Sequence, residues 1–194
     1  NVSEYGDWEY YAMNAGLNQD DWNGLLKEER SSRQLRSAGE KALLQQAKNI
    51  QEAHNDNLST PAFADGYWVM FDYNRGYADD LESSGIMDIF RIPKPSFYFY
   101  KSQRDYDHPF GKPMVYIANK WKKDSPLDVT VFSNCDEVEL FLNGKSVGRK
   151  KPDTNRISDN LKHPPFTFNL KSFKKGKLVA KAFIKNKIVV TDIV

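Results

Sequence analysis

Ser3-Glu4-Tyr5-Gly6, followed at once by Asp7-Trp8-Glu9-Tyr10-Tyr11, sets a carboxylate among flat rings at the end of a short apolar segment. That grouping suits the nucleophile of a sugar-cleaving site. The reacting sugar passes through an oxocarbenium-like cation, and an anion beside the anomeric carbon both stabilises it and can bond to it. A retaining reaction also needs a second carboxyl group about 5 Å away to protonate the leaving oxygen. A second polar group follows the run 62–70. There Asp72, Tyr73, Asn74 and Arg75 follow Trp68 by four to seven residues and are placed to line a site, with Arg75 beside Asn74 suited to reading an acidic sugar.

These residues need elements to hold them. The run 1–4 reads as the end of a strand. Residues 31–55 read as a helix, because Leu35, Ala38, Ala42, Leu43, Ala47 and Ile50 recur at spacings of three and four. Ser31 or Ser32 stands where a cap is wanted, and Asn55-Asp56-Asn57 ends the pattern. Residues 62–70 read as a buried strand, 71–91 as a loop and about 93–104 as a last helix. This is the βαβα alternation of a parallel α/β fold, with too few units to close a barrel.

Arg104 to Pro113 reads as a linker, and beyond it the pattern changes. Short runs of β-formers occupy 114–118, 127–132, 137–142, 145–149, 165–170, 177–184 and 187–194. In 137–142 acidic and apolar residues alternate, as in a half-buried strand. Asn143-Gly144 predicts a tight hairpin turn, since both residues tolerate positive φ. Asn186-Lys187 is expected to join the last two strands. Strands of this number and length argue an immunoglobulin-like sandwich. The predicted fold class is therefore α/β plus all-β, with domains at 1–105 and 106–194.

Composition narrows the function classes. Aromatics make up 13% of 194 residues, which fits a β-rich protein or a carbohydrate binder. A single cysteine, Cys135, excludes an internal disulfide. The three histidines, His54, His108 and His163, lie more than fifty residues apart, so no metal site is expected. With no Gly-rich phosphate loop either, no cofactor is expected. No apolar run is long enough to span a membrane, and the first residues lack the pattern of a signal peptide.

Charge is uneven: residues 1–105 carry a net −6 and residues 106–194 a net +8. A basic second half could meet nucleic acid or acidic polysaccharide. Base-reading motifs are absent, however. Lys171, Lys174, Lys175, Lys177 and Lys181 fall at strand and turn positions, where they blunt edges and keep a small sheet soluble.

Three stretches resemble family 2 glycoside hydrolases, the group of β-galactosidases, β-glucuronidases and β-mannosidases. Ser3-Glu4-Tyr5-Gly6 is similar to the nucleophile motif at the end of the seventh barrel strand. Gly66-Tyr67-Trp68, with Arg91-Ile92-Pro93-Lys94 and Tyr98-Phe99-Tyr100-Lys101, resembles the eighth strand and helix. Ser133-Asn134-Cys135-Asp136-Glu137-Val138-Glu139-Leu140-Phe141-Leu142-Asn143-Gly144-Lys145 resembles the sandwich domain that follows the barrel in many members. The resemblance implies the C-terminal portion of a (β/α)8 barrel followed by an immunoglobulin-like β-sandwich, and retention through a glycosyl-enzyme intermediate. It makes Glu4 the catalytic nucleophile and Trp68 the floor under the sugar. Tyr5, Trp8, Asp72, Asn74 and Arg75 are the further substrate-binding candidates, with Tyr10, Tyr11 and Trp22 on the same loop as Trp8.

The family's acid/base glutamate follows an asparagine near the end of the fourth strand, and nothing in this sequence corresponds to it. The expectation is thus a fragment, inactive alone, of a periplasmic or secreted exo-β-glycosidase acting on a β-linked oligosaccharide or polysaccharide side chain. Nucleic acid and membrane are not expected partners, whereas a homodimer through the exposed barrel edge is. β-Glucuronidases carry an Asn-x-Lys pair before the glycine matched here by Gly85, where this chain has Glu82-Ser83-Ser84. An anionic Glu82 there disfavours a uronic acid and points to a neutral sugar such as galactose. The alternatives are a β-glucuronidase-like parent and a non-catalytic sandwich that binds carbohydrate or braces the barrel. Trp121, Phe132 and Tyr116 are the aromatic candidates for a lectin-like face, with Phe132 expected in the core.

Overall fold

The computed structural model describes the backbone of Val2–Tyr5 and residues 23–194. It forms two compact units, Asn1–Phe97 and Tyr98–Val194. Their boundary lies upstream of the 105/106 shift in composition.

In the first unit, β1 (Val2–Tyr5) and β2 (Asp65–Tyr67) pair in parallel, with Val2 opposite Asp65 and Tyr5 opposite Tyr67. Parallel neighbours require a long crossover, and helix α1 (Glu40–Leu58) lies in it. The helix starts later than its apolar spacing predicts. A 3-10 turn spans Arg36–Ala38, and Gly39 at φ 93° follows it, a conformation that favours glycine and breaks the pattern before Glu40. Ser32 is buried rather than capping, and Leu35 is 42% exposed, so neither serves the helix.

From Ala42 to Ala53 the helix is buried almost all round. Its polar residues are therefore bonded inward. Gln46 Nε2 donates to the Ser32 carbonyl (2.8 Å), and its Oε1 accepts from Ser96 Oγ (3.0 Å). Asn49 Nδ2 donates to the Arg30 carbonyl (2.5 Å).

The strand expected over 62–70 is confined to β2. Past it the chain changes partners. The N–H groups of Ile86 and Met87 donate to the carbonyls of Val69 and Met70, and Asp72 N–H donates to Met87 O. The expected 71–91 loop holds a short antiparallel pair, β3 (Tyr73–Asn74) with β4 (Leu81–Glu82). Helix α2 (Pro95–Ser102) crosses the boundary between the units.

The second unit consists of two antiparallel sheets. One has the order β5-β6-β9 (Val115–Ile117, Asp128–Ser133, Phe166–Asn169). The other has the order β11-β10-β7-β8 (Lys187–Ile193, Leu178–Ile184, Glu137–Leu142, Lys145–Lys150). These seven strands match the seven runs read from the sequence within a residue or two. Val129, Val131, Phe166 and Phe168 from one sheet share a single core with Val138, Leu140, Leu178 and Ala180 from the other. Burying each of these Val, Leu and Phe side chains contributes about 1.5–3 kcal/mol.

Phe132 is buried, but on the opposite face of β6, edge-on to Phe99. The period of two that puts Val129 and Val131 in the shared core must send Phe132 the other way. Asn143 and Gly144 form the β7–β8 turn with φ of 52° and 79°. The β10–β11 turn uses Lys185 and Asn186 (φ 48° and 65°), one residue before the expected Asn186-Lys187.

Asp105 binds Lys162 Nζ (2.5 Å) and His163 Nε2 (2.8 Å). These bonds, Lys162's first, hold its carboxyl below the usual carboxylate range. Its contribution to stability is therefore present above the ordinary aspartate value, near pH 4, and is lost as pH falls through the depressed value. Thermal unfolding should find Asp105→Asn less stable than wild type near neutrality, with the difference shrinking as pH falls through the depressed value. A constant difference across that range would exclude this account.

Candidate active site at the ends of two parallel strands

Strand pairing sets the geometry here. Because Tyr5 is opposite Tyr67, Glu4 lies at the C-terminal end of β1 and Trp68 directly follows the C-terminal end of β2. Adjacent strands lie about 4.8 Å apart, so the two positions are neighbours at one sheet end. The Glu4 and Tyr5 side chains, and all of Trp8, Tyr10, Tyr11 and Trp22, lie outside the described residues.

Trp68 is half-buried, its peptide bond to Val69 is cis, and its ring meets Tyr73 edge-on (6.1 Å, 77°). Its indole Nε1 is buried with no hydrogen-bond partner among the described residues. Tyr67 reaches the other way, donating its hydroxyl to the Ser84 carbonyl (2.5 Å).

Asp72 does not line a cavity as expected. It is 1% exposed, and its Oδ1 takes a bond from Lys94 Nζ (2.8 Å). The ammonium also donates to the carbonyls of Gln34 (2.8 Å) and Ser83 (3.0 Å), which satisfies all three of its donors. Burial pushes the Asp72 carboxyl up and the Lys94 ammonium down from their ordinary values, while their mutual bond acts against both shifts. The pair ties the turn after Trp68 to the segments before α1 and before α2.

Gly85 packs under that turn. A Cβ there would meet Asp72 N at 2.2 Å and Met87 O at 2.5 Å, so only glycine fits. Lys94 and Gly85 were not singled out as functional from the sequence. A lysine held between Pro93 and Pro95 in an apolar stretch is the signal that could have marked the first.

Arg75 and Glu82 also differ from expectation. The Arg75 guanidinium is bonded to Glu82, whose side chain is fully buried. Glu82 further faces Arg33 Nε (3.3 Å) and accepts from Ser84 N–H (3.1 Å) and Ser84 Oγ (2.5 Å). Arg33 bonds Asp80 as well and holds that carboxyl below its usual range. Glu82 is thus a neutralised internal anchor rather than an anion facing a ligand, and Arg75 is committed to it. Asn74, in β3, is exposed.

His54 Nδ1 contacts Asp65 at 2.8 Å, linking α1 to β2, while His163 belongs to the Asp105 cluster of the second unit. In the second unit the three lectin candidates are all engaged. Trp121 is 6% exposed, Phe132 is covered by Phe99, and Tyr116 stacks on Tyr98 (3.6 Å, 8°). Among the described residues no helix is long and apolar enough to cross a membrane.

Comparison with known proteins fits this architecture. Residues 124–190 match a family described as a domain of unknown function, DUF4982. A β-galactosidase of Thermoanaerobacter pseudethanolicus is 42% identical over 113 residues, 54% of this chain and 15% of that protein. A putative β-glucuronidase of Formosa agariphila is 33% identical over 136 residues, 63% of this chain and 12% of that protein. A β-glycosidase structure from Bacteroides vulgatus superposes with a TM-score of 0.56 at 28% identity, covering 74% of this chain and 18% of that one. The structure of a β-glucuronidase from glycoside hydrolase family 2 covers 98% of this chain and 19% of its own at a TM-score of 0.56; at 20% identity it speaks for the fold alone.

The chain, with its parallel strand pair in one unit and its two sheets in the other, is thus similar to one segment of a family 2 glycoside hydrolase. The curated relatives named here are a β-galactosidase and a putative β-glucuronidase, and the chain spans 12–15% of their length.

Proposed function

We propose that this chain is part of a retaining exo-β-glycosidase, with Glu4 as its nucleophile and Trp68 as the platform under the reacting sugar. The carrying observation is the β1–β2 register, which sets Glu4 and Trp68 at neighbouring C-terminal strand ends. Catalytic groups of parallel (β/α)8 barrels sit at that face. On this reading β1 and β2 are the seventh and eighth barrel strands, and the two-sheet unit is an immunoglobulin-like brace. Its strand order, β5-β6-β9 against β8-β7-β10-β11, supports the sandwich assignment. The burial of Trp121 and the covering of Phe132 favour a brace over a lectin built on those rings. Trp68 Nε1, which has no hydrogen-bond partner among the described residues, supports a polar ligand, since a sugar hydroxyl would satisfy it.

The chain alone is inactive on this reading, because the acid/base carboxyl must come from elsewhere in the intact protein. Glu82 is locked between Arg33 and Arg75, so Arg75 is not offered to a uronate carboxylate, which favours a neutral sugar such as galactose. A glucuronide is the second reading, favoured by the names of relatives such as that of F. agariphila. The test is a 2-deoxy-2-fluoro-β-galactoside, alongside the glucuronide analogue, given to the intact protein carrying this segment. Fluorine at C2 slows the breakdown of the glycosyl-enzyme so that it accumulates. Peptide mapping should find the adduct on Glu4, and an adduct on any other residue overturns the assignment. The sugar that labels decides between galactoside and glucuronide.

A further inference from the structure

Three turns meet at one end of the second unit: the β5–β6 connection (118–127), the β7–β8 turn at Asn143-Gly144 and the β9–β10 connection (170–177). They are fastened to one another through their backbones. The Trp121 indole N–H donates to the Lys174 carbonyl (3.0 Å), and its ring lies 5.3 Å from that of Phe173. Asn143 Nδ2 donates to the Lys175 carbonyl, and Asn143 Oδ1 accepts the Lys177 N–H, both at 3.0 Å. Gly176, at φ 149°, lies so close that a Cβ would come within 1.7 Å of Asn143 Oδ1.

Residues 119–127, 143–145 and 170–177 together carry eight lysines, all exposed, among them Lys122, Lys123, Lys174 and Lys175. One acid, Asp124, stands against them. At the opposite end Lys162 pairs with Asp105, and Lys151, Arg156 and Lys185 are accompanied by Asp136, Asp153 and Asp159. Lys181, by contrast, lies over the Phe141 ring at 4.7 Å, as a lysine that merely shields a sheet would. The basic excess of this half is therefore concentrated at one end. Like charges closer than about 10 Å repel at moderate salt, and the bonds between the turns hinder these segments from moving apart. That repulsion is relieved when a polyanion replaces the surrounding counterions.

We infer that this lysine end is a docking surface for an anionic polysaccharide, sulfated or uronate-bearing. The choice of polysaccharide rests on the glycosidase reading above. Two observations count against nucleic acid. Trp121 is buried and Phe173 partly so, which leaves neither ring free to stack on bases. None of the three turns contains an arginine, the residue whose fork reads guanine bidentately. Lysine ammoniums instead act as point charges, suited to sulfates or carboxylates strung along a chain.

The experiment measures binding of the 194-residue chain to immobilised chondroitin sulfate and polygalacturonate, with neutral dextran and a DNA duplex as comparators, over a range of salt concentrations. The expected result is binding to the anionic glycans that weakens as salt rises. Combined Lys122→Gln, Lys123→Gln, Lys174→Gln and Lys175→Gln should reduce it at least about tenfold and flatten the salt dependence. Lys151→Gln with Lys185→Gln, at the other end, should leave it unchanged. The proposal is overturned by no binding, by unchanged binding of the fourfold variant, by equal binding of neutral dextran, or by tighter binding of the duplex. Because the readout is binding, a missing Glu4 adduct would leave this result standing, and a Glu4 adduct without glycan binding would sink only the surface.

Discussion

Lys94→Met should destabilise the first unit by about 3–5 kcal/mol, because it strands the Asp72 carboxylate in a site 1% exposed. The loss extends beyond one ion pair. The ammonium serves three acceptors at 2.8–3.0 Å, and the carbonyls of Gln34 and Ser83 would lose their donor with it. A domain has only about 5–15 kcal/mol to lose, so the variant should show an early unfolding transition in urea. The second unit keeps its own core and should unfold as before. Replacing both partners, Lys94→Met with Asp72→Leu, should restore a large part of the loss, since it removes the buried charge rather than orphaning it. A single variant within about 1 kcal/mol of wild type would mean that Asp72 is not held as an anion there.

How much of this the sequence discloses depends on the range over which each feature is decided. The seven strands of the second unit are legible because period-two burial and turn chemistry are written locally, as in Glu137–Leu142 and Asn143-Gly144. The start of α1 is not, since apolar spacing continues through Leu35 and Ala38 while the backbone at Gly39 leaves the helix. The last turn slips by one residue because lysine carries no cue for the positive φ that Lys185 adopts. In the site, residue types point to chemistry but not to partners. Asp72 and Arg75 look like ligand contacts until the fold gives them Lys94 and Glu82, 22 and 7 residues away. The lysine end is hidden for the same reason: Lys122 and Lys174 are far apart in the chain, and it takes the Trp121–Lys174 bond and the Trp121–Phe173 ring contact to show that their turns touch.

Glu4→Ala in the intact protein should lower kcat by at least about a thousandfold, equivalent to about 4 kcal/mol of transition-state stabilisation. The carboxylate has two tasks on the proposed path, stabilising the oxocarbenium-like transition state and bonding to the anomeric carbon, and alanine can do neither. Stability should change little, which separates this variant from Lys94→Met. The diagnostic step is rescue. Azide or formate entering the space left by the side chain attacks from the face that Glu4 occupied, restores turnover of an activated β-glycoside, and with azide leaves a glycosyl azide of inverted configuration. A structural glutamate gives no such product. Trp68→Ala should raise KM more than Glu4→Ala does and gain nothing from azide, because a platform binds the sugar without attacking it. If Glu4→Ala keeps turnover within about tenfold of wild type, or if azide neither restores the rate nor appears in the product, the nucleophile is another residue and the β1–β2 register serves the fold alone.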